Sequence, residues 1–215
     1  MNILISGSSG FIGSALAPYL QSHGHTILKL VRDHSQPGIF WNPGQGVIDL
    51  PADAKIDAVI NLSGDNIAAG RWTKQKKEKI LSSRIDSTSL LARTIARLNP
   101  HPKVFLSSSG IGFYGDCGNL IVDETSPAGR GFLVDVSREW ETATLAARQA
   151  GVRVVCLRIS LVLGGKGGML RRLLPLFKAG LGPVLGPGRQ YMSWIAMDDF
   201  NAAVKYILAN KLLSG

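Results

Sequence analysis

The stretch Asn2-Ile-Leu-Ile-Ser-Gly-Ser-Ser-Gly-Phe-Ile-Gly13 decides the fold of this chain. It begins as an apolar run, typical of a buried strand, and breaks into three evenly spaced glycines, Gly7, Gly10 and Gly13. Gly7 suits the tight turn that leaves the strand, Gly10 lets a pyrophosphate approach the backbone, and Gly13 lets the next helix pack closely on the sheet. Because the first amides of a helix have no partner within it, they attract an anion. The stretch therefore predicts a cradle for the pyrophosphate of a dinucleotide.

The residues that follow the glycines supply the strand-turn-helix context that this motif needs. Apolar residues recur at helical spacing after the turn, at Phe11, Ile12, Ala15, Leu16, Tyr19 and Leu20. Pro18 interrupts the predicted helix and is expected to bend it locally, since it removes one intrahelical hydrogen bond. The alternative, a glycine-rich turn without a ligand, fits that context less well.

Strand and helix patterns alternate along the rest of the chain. Apolar runs predict strands at 26–31, 57–64, 104–108 and 152–157, with a minor strand at 39–41, and helical periodicity predicts helices at 74–98, 132–150, 169–178 and 198–210. The main strands are apolar throughout rather than at every second residue, which indicates burial on both faces. We therefore predict an α/β fold with a doubly wound parallel sheet, a Rossmann domain over residues 1–160, and a small, incomplete substrate-side segment over residues 161–215 that packs on it.

The composition fits one intracellular domain. A chain of 215 residues with 45% apolar content can bury one substantial core. No run approaches the roughly 20 apolar residues that a membrane span needs, and no leader pattern stands at the N-terminus, so we expect a cytoplasmic protein without a membrane partner. Cys117 and Cys156 are expected to be free thiols, and the four histidines lack ligand spacing, so no metal site is expected.

The formal net charge of +9 favours an anionic partner, either a phosphorylated cofactor or nucleic acid. The densest basic run, at residues 74–79, contains no aromatic residue and is typical of a solvated helix start. No nucleic-acid recognition module is visible, so we do not expect a nucleic-acid partner. The long predicted helix at 74–98 is instead a candidate pairing surface for a homodimer.

The residue that ends the second strand discriminates between dinucleotides, because an acid accepts hydrogen bonds from the ribose hydroxyls whereas an arginine pairs with a 2′-phosphate. Arg32 follows Val31 here and favours NADP(H). Asp33 leaves an alternative open, since a strand one residue longer would bring this acid to the ribose. An uninvolved surface Arg32 is a further alternative.

Several motifs occur in the order found in extended short-chain dehydrogenases/reductases: Gly7-x-x-Gly10-x-x-Gly13, Asn61-Leu-Ser-Gly64, Ser107-Ser-Ser109 leading to Tyr114-Gly115, and Leu157-Arg-Ile-Ser-Leu-Val-Leu-Gly164. More narrowly, the chain resembles the atypical, NAD-dependent epimerase/dehydratase-like subgroup. The residues that carry this likeness are Arg71-Trp-Thr73, Trp140-Glu141, Leu174-Pro-Leu-Phe177, Gly188-Arg-Gln-Tyr191 and Ser193-Trp-Ile195. Together the motifs cover nearly the whole chain.

The resemblance implies an NADP(H) site and its residues. The cofactor is expected to lie over the first turn, with Arg32 at the 2′-phosphate and the end of the third main strand along the ribose and nicotinamide. The residues assigned to this site are Gly7, Ser8, Ser9, Gly10, Phe11, Ile12, Arg32, Leu62, Ser63, Gly64 and Ser107. The strand pattern independently favours the same place, since ligands of such sheets bind at the carboxyl ends of strands where the strand order reverses.

One part of the family pattern is missing. Extended members use a Tyr-x-x-x-Lys pair to exchange a proton as hydride moves. Here the two positions fall on Leu133 and Ser137, and neither residue can perform this role. The substitutes are Tyr114, for which packing is the alternative, and Ser109 or its neighbour Ser108, for which strand-end capping is the alternative. Asp135 or Arg138 could also bring charge to the helix start, and a solvent-facing position is the alternative for both.

Arg158 lies between apolar strand residues, so we expect it to pair with a buried carboxylate rather than to reach the substrate cleft. The sequence thus favours an NADP(H)-binding oxidoreductase or epimerase that acts on a small carbonyl or hydroxyl compound, with Ser109 and Tyr114 as the catalytic candidates. The alternative is a regulatory or sensor protein that binds NADP(H) without turnover. Loss of both members of the proton-exchanging pair favours this alternative.

Overall fold

A seven-stranded sheet organises the chain in the computed structural model, which describes residues 1–51, 53–182, 184 and 186–215. Its strands are β1 (Asn2–Ser6), β2 (Thr26–Val31), β3 (Ile39–Asn42), β4 (Val47–Ile48), β5 (Ala58–Asn61), β6 (Val104–Gly110) and β7 (Arg153–Ile159). The helices are α1 (Gly13–Ser22), α2 (Lys74–Ile95), α3 (Phe132–Thr142), α4 (Leu145–Gln149), α5 (Gly168–Lys178) and α6 (Met197–Ala209). A separate parallel pair is formed by β8 (Leu161–Leu163) and β9 (Trp194–Ala196).

The strand order is β4-β3-β2-β1-β5-β6-β7, and the neighbouring strands from β3 to β7 pair in parallel. Only β4 joins its neighbour, β3, antiparallel among these strands. The order reverses between β1 and β5, where Ser6 pairs with Asn61. The predicted doubly wound parallel sheet is confirmed, and the carboxyl ends of β1 and β5 define its switch point.

The two faces of the sheet bury different helices because alternate side chains of a strand point to opposite faces. Ile3 and Ile5 of β1 lie in one cluster with α1 and α6, whereas Leu4 lies in a second cluster with α2 and α4. Ile3, Ile5 and Phe105 of β6 have no exposed surface. Burial on both faces explains why the central strands are apolar throughout.

Some predicted boundaries were wrong. The predicted helix at 132–150 is two helices, α3 and α4, because the chain turns at Thr144, a buried residue whose hydroxyl donates to the Glu141 carbonyl oxygen at 2.7 Å. The strand predicted at 57–64 ends at Asn61, and β6 extends to Gly110 rather than stopping at Ser108. The long helix begins at Lys74 as predicted, where the Thr73 hydroxyl caps it by accepting from the Lys76 amide at 3.2 Å.

Two further predictions from the sequence concern the cysteines and membrane-spanning helices. Cys117 and Cys156 are both free thiols, and burial raises the pKa of Cys156 above its ordinary value. None of the helices in the described part of the chain is long and apolar enough to cross a membrane.

Candidate functional site

The turn after β1 is built around two glycines that no other residue can replace without strain. Gly7 has a φ of 70°, and a Cβ there would lie 2.7 Å from the carbonyl oxygen of Leu62. A Cβ on Gly13 would lie 2.2 Å from the carbonyl oxygen of Gly7, which is far inside van der Waals contact. Gly10 is exposed, and its amide donates to the Gly7 carbonyl oxygen at 3.0 Å. The tight turn predicted from the sequence is present, and Gly13 lets the start of α1 approach the backbone of that turn closely.

Backbone amides are left free where α1 begins. No side chain caps this helix, and its first turn carries no acidic residue. In the described part of the chain, the amides of Ser9, Phe11 and Ile12 meet no acceptor. Free amides at a helix start carry a partial positive charge, so this turn is suited to a phosphate group.

A buried hydrogen-bond network holds the opposite side of the switch point in place. The Asn61 side-chain oxygen accepts from the Ser6 hydroxyl at 2.6 Å and from the Ser63 amide at 3.1 Å. The Asn61 amide group donates to the Thr88 hydroxyl at 2.8 Å, and the Trp140 indole donates to the same hydroxyl at 2.9 Å. The network links β1, β5, α2 and α3, and it fixes the chain where it turns from β5 into Leu62, Ser63 and Gly64.

The loop after Gly64 is fixed by cations of α2. The Arg84 guanidinium donates to the Asp65 carbonyl oxygen at 3.1 Å, and burial lowers the pKa of Arg84. A Cβ on Gly64 would approach the Arg84 guanidinium carbon to 3.1 Å, so Gly64 packs closely against this side chain. Lys76 forms an ion pair with the Asp65 carboxylate. The Leu62–Gly64 edge predicted to face the cofactor is therefore held by side chains that the sequence analysis did not identify.

Arg32 and Asp33 have different environments. β2 ends at Val31, so the longer strand that would bring Asp33 to the ribose is absent. The Asp33 carboxylate accepts from the Ser35 amide at 2.9 Å, and this hydrogen bond lowers the pKa of Asp33. Arg32 is exposed and lines a shallow pocket with Trp41 and Lys79. Because Asp33 is occupied in its own turn, the geometry favours Arg32 as the residue available to a ligand.

Ser107, which was assigned to the cofactor site, lies deeper in the fold than the other assigned residues. It sits inside β6, three residues before the strand ends, and has no exposed surface. Its hydroxyl donates to the Ser108 carbonyl oxygen at 3.3 Å. Ser107 therefore lies in the wall behind the switch point, while the other assigned cofactor residues lie on the loops after β1, β2 and β5.

A second polar cluster joins both catalytic candidates to an ion pair. The Arg158 guanidinium donates to both carboxylate oxygens of Glu141, at 2.9 and 3.0 Å, and to the Tyr114 phenolic oxygen at 2.9 Å. Hydrogen bonding to Glu141 raises the pKa of Arg158, and the guanidinium carbon lies 3.5 Å from the centre of the Phe113 ring. The prediction that Arg158 pairs with a carboxylate is confirmed.

The hydrogen bonds of this cluster distinguish the two candidates. Ser109 donates its hydroxyl proton to Glu141 at 2.7 Å, so that proton is already used within the protein. The Tyr114 oxygen instead accepts from Arg158, and its own proton meets no acceptor among the described residues. Tyr114 is half-buried, whereas Ser109 is buried. Of the two, Tyr114 is therefore the residue that has a proton to give to a ligand.

Glu141 is the residue of this cluster whose role was missed. Val134, Ser137 and Glu141 recur at helical spacing, and the first two are buried. That spacing places Glu141 on the buried face of α3, and this was the signal in the sequence for a buried carboxylate.

The chain matches the model of the NAD dependent epimerase/dehydratase family over residues 3–213. It belongs to that family. It is 44% identical over 215 residues to the epimerase family protein Mb2239 of Mycobacterium bovis, with 99% of this chain and 71% of the relative covered. It is 34% identical over 219 residues to the mouse epimerase family protein SDR39U1, with 100% of this chain and 73% of the relative covered.

Two solved structures have closely similar folds. The human epimerase family protein SDR39U1 (isoform 2), crystallised with NADPH, superimposes with a TM-score of 0.91 at 31% identity, and the match covers 100% of this chain and 72% of the human chain. A nucleoside-diphosphate sugar epimerase from Corynebacterium glutamicum gives a TM-score of 0.85 at 36% identity, covering 100% of this chain and 45% of the other.

The two positions of the family's proton-exchanging pair lie at the start of α3. Leu133 packs on the backbone of Gly112, where a Cβ would lie 3.2 Å from the Leu133 Cβ. Ser137 is buried, and its hydroxyl donates to the Leu133 carbonyl oxygen at 2.9 Å. Neither position carries an ionisable side chain, and no Tyr-x-x-x-Lys motif occurs elsewhere in the sequence.

Proposed function

We propose that the chain is an NADP(H)-dependent oxidoreductase that reduces a small carbonyl compound. The pyrophosphate lies over the turn from Gly7 to Ile12, where the free amides of Ser9, Phe11 and Ile12 face an anion. The support for this position is geometric, since Gly7 approaches Leu62, and Gly13 approaches the backbone of the turn, more closely than a Cβ would allow. The family match and the NADPH in the human relative agree with it.

Arg32 pairs with the 2′-phosphate and gives the preference for NADP(H) over NAD(H). Its support is its exposure directly after β2 and the engagement of Asp33 with Ser35. An arginine is suited to this role because its planar guanidinium forms two parallel hydrogen bonds to a phosphate.

The observation that carries the catalytic proposal is the hydrogen bond from Arg158 to the Tyr114 oxygen at 2.9 Å. NADPH, when bound, supplies hydride to the carbonyl carbon of the substrate. Tyr114 donates its phenolic proton to the carbonyl oxygen, which yields the alcohol, and the phenolic oxygen then regains a proton from water. Arg158 positions that oxygen and stabilises the negative charge that develops on it, while Glu141 holds Arg158 in a fixed orientation through two hydrogen bonds.

A second candidate is an NADP(H)-binding regulatory or sensor protein without turnover. It is favoured by Leu133 and Ser137 at the positions of the usual pair, and by Glu141, which offsets the charge of Arg158. The two candidates share the cofactor site and differ only in whether Tyr114 transfers a proton.

The cofactor assignment is tested by titrating the chain with NADPH and NADH. Arg32→Ala is expected to weaken NADPH binding by about 10- to 100-fold and to leave NADH binding nearly unchanged, because only NADPH carries the phosphate. Arg93→Ala, which removes an exposed arginine near the end of α2, is the control and leaves both affinities unchanged. Equal losses for both cofactors in Arg32→Ala would remove Arg32 from the 2′-phosphate.

Turnover separates the two functional candidates. We expect the chain to oxidise NADPH in the presence of some members of a panel of small aldehydes and ketones. The reaction is monitored by the absorbance of the reduced nicotinamide. Tyr114→Phe keeps the ring and removes the proton, so it is expected to retain NADPH affinity while kcat falls by roughly 100-fold or more. NADPH binding without oxidation of NADPH by any member of the panel would favour the sensor.

A further inference from the structure

A glycine-rich loop from the segment after β7 closes on the Phe11 ring. A Cβ on Gly167 would lie 2.4 Å from Phe11 Cδ2, and a Cβ on Gly168 would lie 2.8 Å from Phe11 Cε1. A Cβ on Gly164 would lie 3.2 Å from Phe11 Cζ. The three glycines enclose the ring so closely that a side chain at Gly167 or Gly168 displaces it. The ring of a residue in the phosphate turn is therefore the contact surface for a second, distant loop.

The other attachments of this loop and the helix that it starts are few. α5 follows the loop at once, and none of its residues is buried. Arg172 of α5 donates to the Ala68 carbonyl oxygen at a long 3.4 Å, and the β8–β9 pair anchors the segment upstream and downstream. A helix that buries so little apolar surface has low local stability, so the contact of its first residues with the Phe11 ring contributes to its position.

We propose that Phe11 is a positioning residue that couples cofactor binding to the placement of α5 on the substrate side. This inference rests on the proposed function, because it requires the cofactor phosphates at the amides of Ser9, Phe11 and Ile12. A phosphate bound to the Phe11 amide restricts the backbone that carries the ring, and the restricted ring holds Gly167 and Gly168. Coupling of this kind is reciprocal, so a change on the α5 side that displaces the ring also weakens cofactor binding.

The reciprocal effect is tested with two alanine substitutions in the same loop. Gly167→Ala pushes a Cβ into the ring, and its extended backbone, with a φ of −175°, accepts alanine without strain. Gly165→Ala is the matched control, since no atom lies within 4 Å of a Cβ at that position. We expect Gly167→Ala to weaken NADPH binding by roughly fivefold or more, measured by titration of the full chain, and Gly165→Ala to leave it unchanged.

The forward effect is tested by hydrogen exchange of the α5 amides with and without saturating NADPH. NADPH is expected to slow hydrogen exchange of the α5 amides, and Phe11→Ala is expected to abolish this NADPH-dependent slowing. Phe11→Met, which fills the space between the glycines with a flexible apolar chain, is expected to restore it. A residue that only stabilised the fold would change exchange by the same factor with and without NADPH.

The outcomes separate this inference from the proposed function. If the unaltered chain binds NADPH but Gly167→Ala and Gly165→Ala bind it equally, or if NADPH leaves exchange in α5 unchanged, the coupling through Phe11 is wrong and the cofactor site stands. If the unaltered chain binds no NADPH, the proposed function fails and this inference fails with it. Circular dichroism of the variants identifies any loss of affinity that arises from unfolding.

Discussion

The central strands and α5 differ in how much of their apolar surface is buried. Ile3 of β1, Ile60 of β5 and Phe105 of β6 have no exposed surface, whereas Leu176 and Phe177 of α5 are 42% and 56% exposed. Buried apolar area supplies most of the folding free energy, so the sheet and the turns at its carboxyl edge are held far more firmly than α5. The chain therefore has a rigid side, formed by the sheet and the turns at its carboxyl edge, and a weakly anchored side at α5.

The difference in local stability suits the two regions to different roles. A rigid edge suits a ligand such as a dinucleotide, because preorganised amides lose little conformational freedom on binding. A weakly anchored helix suits a wall that adapts to a second ligand. The Phe11 contact is the place where a change in one region reaches the other.

The largest expected effect comes from breaking the rigid side at Gly7. Gly7→Ala forces a side chain to adopt a φ of 70° and places its Cβ 2.7 Å from the Leu62 carbonyl oxygen. We expect it to lower the free energy of unfolding by about 3–5 kcal/mol and to abolish NADPH binding. Urea unfolding and NADPH titration measure the two effects.

Gly24→Ala is the matched control for that prediction. Gly24 also has a positive φ, 81°, but no atom lies within 4 Å of a Cβ there. Gly24→Ala is expected to lower the free energy of unfolding by only about 1 kcal/mol, which is the cost of placing alanine in a left-handed backbone conformation, and to leave the NADPH affinity unchanged. Similar losses in the two variants would show that the close approach to Leu62 contributes nothing.

A smaller effect is expected from limited proteolysis, which compares the two regions directly. Trypsin is expected to cut α5 after Arg171 or Arg172 about 100-fold faster than it cuts α2 after Arg84 or Arg93, because cleavage requires local opening and α5 buries no residue. Mass spectrometry of the first fragments locates the cuts. A first cut after Arg84 or Arg93 would mean that the difference in burial does not reflect a difference in local stability.

The rigid side could largely be predicted from the sequence because local rules dominate there. The spacing of Gly7, Gly10 and Gly13 requires a specific backbone geometry, and uninterrupted apolar runs require burial on both faces. The same rules gave Arg158 a carboxylate partner, since an unpaired guanidinium between apolar strand residues would be costly. Each of these predictions depends only on residues that lie close together in the sequence.

The remaining features depend on contacts between residues far apart in sequence. Glu141 was not identified as the partner of Arg158 because the pairing joins α3 to β7 across the fold. The hydrogen bond that distinguishes Ser109 from Tyr114 is likewise a property of that pairing. Ser107 lies within β6 because pairing with β7 carries this strand on to Gly110, two residues past the predicted end at Ser108. The closure of Gly164, Gly167 and Gly168 on Phe11 has no local signal beyond the glycines themselves.

The smallest of the expected effects refines the account of the rigid side. The Thr88 hydroxyl accepts hydrogen bonds from both Asn61 and Trp140, and all of these groups are buried. Thr88→Val keeps the shape and leaves two buried donors without an acceptor, so it is expected to lower the free energy of unfolding by about 2 kcal/mol in urea. Thr142→Val, at an exposed position of α3, is the control and is expected to change it by less than about 0.5 kcal/mol.

Because the Asn61 side chain also accepts from the Ser63 amide, Thr88→Val is further expected to weaken NADPH binding more than its effect on stability alone would. NADPH affinities are compared in the absence of urea, at a temperature at which both variants are fully folded. If Thr88→Val loses stability but keeps full NADPH affinity, the network supports the sheet without positioning the turn after β5, and the rigidity of the cofactor edge arises from Gly7 and Gly13 alone.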